Sequence, residues 1–170
     1  MEVKLEVKNI LVPIDFSDTS RKAFYIALKF AKLFDAKTYV LHVQEPLGPF
    51  DSAESMEKHS DELSRVIDGV KRRVNELFDE GGLAEVDRRK VHIEIRGGKP
   101  YMEILKFAVH EKMDLIVMGS HGYTGVKHML IGSQTEKVMR RAPCLVMCVK
   151  PDDFEIGSDI TGVPKKFKSK

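Results

Sequence analysis

The feature that most constrains this chain is an alternation. Short apolar runs at 9–14, 38–43, 91–95, 115–118 and 144–149 are separated by segments whose apolar residues recur at helical spacing. Runs as dense in Val, Ile and Leu as Ile10-Leu11-Val12 or Leu115-Ile116-Val117 leave no polar side to face water. They read as strands of a parallel sheet covered by helices on both faces, in the order β-α-β-α-β-α-β-α-β.

Between the first two runs, Ala23, Phe24, Ala27, Leu28, Ala31 and Leu33 approximate a 3.6 period and predict a helix with a small-residue face. Asp15-Phe16-Ser17-Asp18 supplies the turn and cap before it. Residues 44–56, with Pro46, Gly48 and Pro49, read as a long loop. Leu63, Val66, Ile67, Val70, Val74, Leu77 and Phe78 predict a second helix, stopped by Gly81-Gly82. Pro100 suits the first turn of a third helix, and a short fourth contains Val138 and Met139. The last twenty residues, 151–170, read as a flexible, lysine-rich tail after a single domain over 1–150.

Composition bounds the function. At 170 residues and 42% hydrophobic content the chain can bury a core. A net charge of +2 is too small to argue for a nucleic-acid-binding face. The apolar runs are far shorter than the ~20 residues that span a membrane, so no membrane partner is expected. The start, Met1-Glu2-Val3-Lys4, has no apolar leader core, and a cytoplasmic setting is expected. If Cys144 and Cys148 share a strand, they lie roughly 13 Å apart, too far for a disulfide, which needs a Cα separation of roughly 4.4–6.8 Å. They are expected as buried free thiols.

In open sheets of this class, ligands bind beyond the carboxyl ends of strands, where the winding direction reverses. The chemically unusual strand ends are Asp15, after the first run, and Gly119, after the fourth. Gly119 opens the pattern G-x2-G-x9-G-S, formed by Gly119, Gly122, Gly132 and Ser133, between a strand and a helix start. Glycines there let backbone approach a ligand, and N–H groups at a helix start suit phosphate. The pattern is neither a Walker A loop nor a dinucleotide fingerprint.

With these residues the chain resembles the universal stress protein family over residues 8–150. Pro13-Ile14-Asp15-Phe16-Ser17, Leu41-His42-Val43 and Gly132-Ser133-Gln134-Thr135 match other family features. The resemblance implies an open five-stranded parallel sheet of order 3-2-1-4-5, Rossmann-like, with helices on both faces. It also implies ATP binding, because members that keep the glycine signature resemble ATP binders. Homodimers through the last strand, here Cys144 to Val149, are common in the family.

The resemblance distributes roles along the site, each beside a plainer reading. Asp15 would accept hydrogen bonds from the ribose or adenine edge; otherwise it is a turn residue. Pro13, Val43 and Met118 would line the base and ribose; otherwise they are core. Gly119 and Gly122 would let the loop wrap the phosphates; otherwise they make a simple turn. Gly132 and Ser133 would present N–H groups and a hydroxyl to the β- and γ-phosphates; otherwise Ser133 is an N-cap. Thr135 would add a hydroxyl, Gln134 a backbone contact, and His121 a reach toward phosphate unless it is merely solvated. Lys127 and His128 in the loop suit phosphate and are equally ordinary surface residues. The other histidines, His42 included, are expected to be structural.

ATP, accompanied by Mg²⁺ or Mn²⁺, is therefore the expected ligand. Phosphoryl transfer wants a basic residue on the phosphates, a metal-holding carboxylate and a positioned base. No lysine stands in the Walker position, and 116–135 contains no carboxylate. A regulatory binder is the favoured expectation. A slow ATPase or nucleotidyl-transfer enzyme, and a partner-binding dimer with a vestigial pocket, are the alternatives.

Overall fold

A computed structural model describes residues 5–44, 53–81, 88–120 and 132–152 (of 53–62, the backbone alone). The elements are β1 (Asn9–Pro13), α1 (Asp18–Phe34), β2 (Lys37–Gln44), α2 (Ala53–Glu80), β3 (Val91–Gly97), α3 (Pro100–His110), β4 (Leu115–Gly119), α4 (Ser133–Arg141) and β5 (Leu145–Val149). The sheet runs β3-β2-β1-β4-β5 and every neighbouring pair is parallel. That is the 3-2-1-4-5 order the resemblance implied.

Alternation along the strands builds two cores. Ile10, Val12, Val40 and Val117 face α1 and α2, where they meet Phe24, Ala27, Leu28, Val74 and Phe78. Leu11, Leu41, Ile116 and Met118 face α3 and α4, against Ile104, Phe107 and Val138. Covered on both sides, β4 is buried at every residue, which is why the run carries no polar side chain. Phe24 is fully buried, edge-on to Phe78, so Phe24→Ala would cost about 3–5 kcal/mol. Asp114 aligns the two central strands at their starts. Its Oδ2 accepts from the Lys8 and Asn9 amides at 2.8 and 2.9 Å.

Three expectations change. α2 begins at Ala53 and β2 reaches Gln44, so the loop expected over 44–56 is shorter. The first residues of α2 carry no apolar stripe, and periodicity had nothing to register there. Leu33 is 74% exposed, because the stripe through Phe24, Ala27 and Ala31 leaves position 33 on the opposite side. The cysteines are free but only half-buried, and Cys144 stands just before β5. Burial still pushes both thiols up. Asp114 adds to the shift at Cys144, and Lys150 opposes it at Cys148.

Lys22 of α1 holds the chain just after β5, donating to the Lys150 carbonyl at 3.1 Å and pairing with Asp152. The expected tail lies outside the described residues from 153 onward.

Candidate functional site

From β1 the chain winds outward to β3, then returns to β4 and winds to the other edge. α1 and α4 therefore leave adjacent strands on opposite faces. The winding direction thus reverses between β1 and β4, and in open sheets of this class the ligand crevice lies at the carboxyl ends of the strands at that point.

On the β1 side, the Ile14 amide donates to the Leu41 carbonyl at 2.9 Å. Phe16 then takes φ 64°, a left-handed conformation that costs a bulky residue about 1–3 kcal/mol. The bend leaves Asp15 exposed at the crevice mouth while Phe16 is buried. One Asp15 oxygen, Oδ1, accepts from the Ser17 amide at 3.0 Å and the Ser17 hydroxyl at 2.6 Å. Ser17 is also the N-cap of α1, its Oγ accepting from the Ser20 amide. Ser17 Oγ gives its only proton to Asp15, so the Thr19 hydroxyl, 3.3 Å away, donates to it.

Thr19 leads to the other half of the site. A Cβ on Gly119 would stand 2.8 Å from Thr19 Oγ1 and 3.1 Å from the Thr19 backbone carbon. Glycine at 119 is thus required by the approach of α1 to β4, apart from any ligand. The Gly119 carbonyl accepts from the buried Thr135 hydroxyl at 2.8 Å. That hydroxyl ties the first turn of α4 to the end of β4.

Next to Gly119, the Ser120 amide donates to the Val149 carbonyl, and the Gly132 amide donates to the Ser120 carbonyl, both at 2.7 Å. The two ends of the glycine loop are clasped together beside the crevice. Gly132, not Ser133, is the N-cap of α4, with φ −67° and ψ 149° and no side chain to cap the first-turn amides. Ser133 is the first helical residue and is exposed. A helix start of this kind favours an anion by about 0.3–1 kcal/mol. Gln134 turns its side chain the other way. Its Oε1 accepts from the Tyr101 amide at 3.2 Å and caps α3, whose own N-cap residue, Lys99, makes no side-chain cap bond.

Met118 and Val43 belong to the α3/α4 face, and alternation from Leu11 puts Pro13 on that face too. Met118 is buried in the core, whereas Val43 and Pro13 are half-buried at their strand ends. His121, Gly122, Lys127 and His128 lie outside the described residues. The His42 ring lies beside Phe16, and its Nδ1 is 2.8 Å from the Ile14 carbonyl. Among the described residues no group of three or more His, Cys, Asp or Glu is placed to hold a metal. Among them, too, no helix is long and apolar enough to cross a membrane.

Sequence reasoning missed Thr19 as the residue beneath Gly119 and Gln134 as the cap of α3. Each contact joins segments far apart in the chain. The one local hint was Ser17-Asp18-Thr19-Ser20, more hydroxyls than a single cap needs.

Comparison with known proteins agrees with this architecture. The model of the universal stress protein family matches residues 6–150. A universal stress protein of Methanocaldococcus jannaschii is 37% identical over 145 residues, 84% of this chain and 82% of its own. The solved universal stress protein UspA from Lactobacillus plantarum is similar with a TM-score of 0.68 at 28% identity, covering 86% of this chain and 99% of that one. A universal stress family protein from Arabidopsis thaliana, solved with AMP bound, shares the fold. Its TM-score is 0.56 at 20% identity, over 89% of this chain and 97% of its own.

Proposed function

The chain belongs to the universal stress protein family, and from that premise we propose that it binds ATP across the crevice between the β1–α1 turn and the start of α4. One observation carries the reading. The hydrogen-bonded series Asp15–Ser17–Thr19 ends against Gly119, whose neighbour Ser120 clasps Gly132 at the helix start. A sugar-facing carboxylate and a phosphate-facing helix start are thereby tied into one frame. AMP in the Arabidopsis relative supports an adenine nucleotide as the ligand class.

In this reading Asp15 accepts from the ribose or base edge, and Pro13, Val43 and Met118 line the apolar end. Gly119 and Gly122 give the loop its close approach. Gly132, Ser133 and the Gln134 amide meet the β- and γ-phosphates, with His121 beside them. Thr135 serves by holding Gly119. Mg²⁺ or Mn²⁺ travels on the phosphates, since 116–135 offers no carboxylate to ligate it.

The output is regulation through binding, in a cytoplasmic stress-response setting, without nucleic acid or membrane. A homodimer forms through β5, a half-exposed edge strand whose unpaired groups invite a partner strand. Calorimetry with ATP and Mg²⁺ gives a saturable isotherm and a raised Tm; no heat and no stabilisation at millimolar nucleotide would remove the proposal. Phosphate release over hours equal to that of Gly132→Val separates binder from ATPase, and release above that background supports the enzyme.

A further inference from the structure

Phe16 holds a backbone conformation that its shape does not favour, directly after the carboxylate proposed to meet the sugar. Such a residue persists only where its surroundings impose the conformation, and strain of this kind concentrates at binding sites. The Asp15–Ser17 hydrogen bond spans the residue, and two residues outside the glycine signature hold its side chain. From α2, the Arg73 guanidinium carbon sits 3.8 Å over the Phe16 ring centroid. From β2, the His42 ring lies 5.6 Å from the same ring. The Ile14 carbonyl, 2.8 Å from His42 Nδ1, can only accept, so that nitrogen carries the proton and donates. The turn is thus gripped before Asp15, through Ile14, and after it, through Phe16.

We propose that Arg73 and His42 are positioning residues for nucleotide binding, clamping Phe16 so that the β1–α1 turn presents Asp15 in its binding-competent orientation. The inference rests on the ATP site proposed above and assigns that site residues from α2 and from the side chains of β2. Arg73 is exposed on α2, between buried Val70 and Val74, so its replacement leaves the core intact. Without the clamp the competent turn is a smaller fraction of the population, and apparent affinity falls by that fraction.

The test uses the full chain, and the ligand pair tells positioning from general damage. ATP with Mg²⁺ engages both halves of the site. Inorganic tripolyphosphate with Mg²⁺, measured as a competitor of ATP, engages only the α4 half. Arg73→Ala and His42→Phe are expected to weaken ATP by about three- to tenfold each, the scale of one lost cation–π contact or hydrogen bond. Tripolyphosphate binding should stay within about twofold, taking its effect from the α4 half alone. Arg73→Lys and His42→Asn keep a cation and a donor, and should recover most of the ATP affinity. Unchanged ATP affinity in Arg73→Ala and His42→Phe, or equal losses for both ligands, overturns the clamp while the ATP site stands. Absence of ATP binding by the unaltered protein overturns the site itself, and the clamp with it.

Discussion

The connection from β1 to α1 occupies Ile14 to Ser17, whereas that from β4 to α4 runs from Ser120 to Gly132. Both bound the same crevice. The short one is shaped by local chemistry: an aspartate accepting from the residue two ahead, a serine capping the helix, and a strained aromatic held from above. The long one is fixed at its ends, by Ser120 on Val149, Gly132 on Ser120 and Thr135 on Gly119. A site can thus be half written in adjacent residues and half in contacts between distant segments. The halves touch at Thr19 and Gly119, which makes that contact the point where the comparison breaks most easily.

Among variants at the two connections, Gly119→Ala should have the largest effect, because its Cβ would meet backbone as well as side chain of Thr19. The expected cost is about 1–3 kcal/mol, read from the urea midpoint, with partial recovery when Thr19→Gly is added. Full stability in the single variant would mean that α1 and β4 do not press together. Ser17→Ala tests the local half, and loses about 1 kcal/mol as an N-cap. Its ATP affinity should fall further than Gln134→Ala lowers it, since Ser17 also orients Asp15. Gln134→Ala is the smallest, about 0.5–1 kcal/mol for the uncapped Tyr101 amide. Amide exchange should quicken at the start of α3; exchange unchanged there would deny the cap.

The layered sheet was legible because burial on both faces forces continuous apolar runs, and such runs are visible in sequence without any tertiary contact. Helix α1 was legible through Phe24, Ala27 and Ala31, although Leu33, apolar and near the same period, lies on the exposed side. The start of α2 was not legible, since Ala53 opens a polar stretch with no apolar period. At the site, Asp15, Gly119 and Gly132 stood out as unusual residues at strand and helix ends. What sequence left open was what each side chain touches. Ser133 is not the cap, the Thr135 hydroxyl faces Gly119, and Arg73 lies over Phe16 from another helix. Spacing reports periodicity within an element, and these contacts lie between elements.

The central claim is that one nucleotide spans both connections. Backbone amide resonances followed during titration with ATP and Mg²⁺ test it directly. The account predicts that Asp15 and Ser17 shift together with Gly119, Ser120 and Gly132 to Thr135, along a single binding isotherm. Shifts confined to one connection, or two groups following separate isotherms, would contradict it.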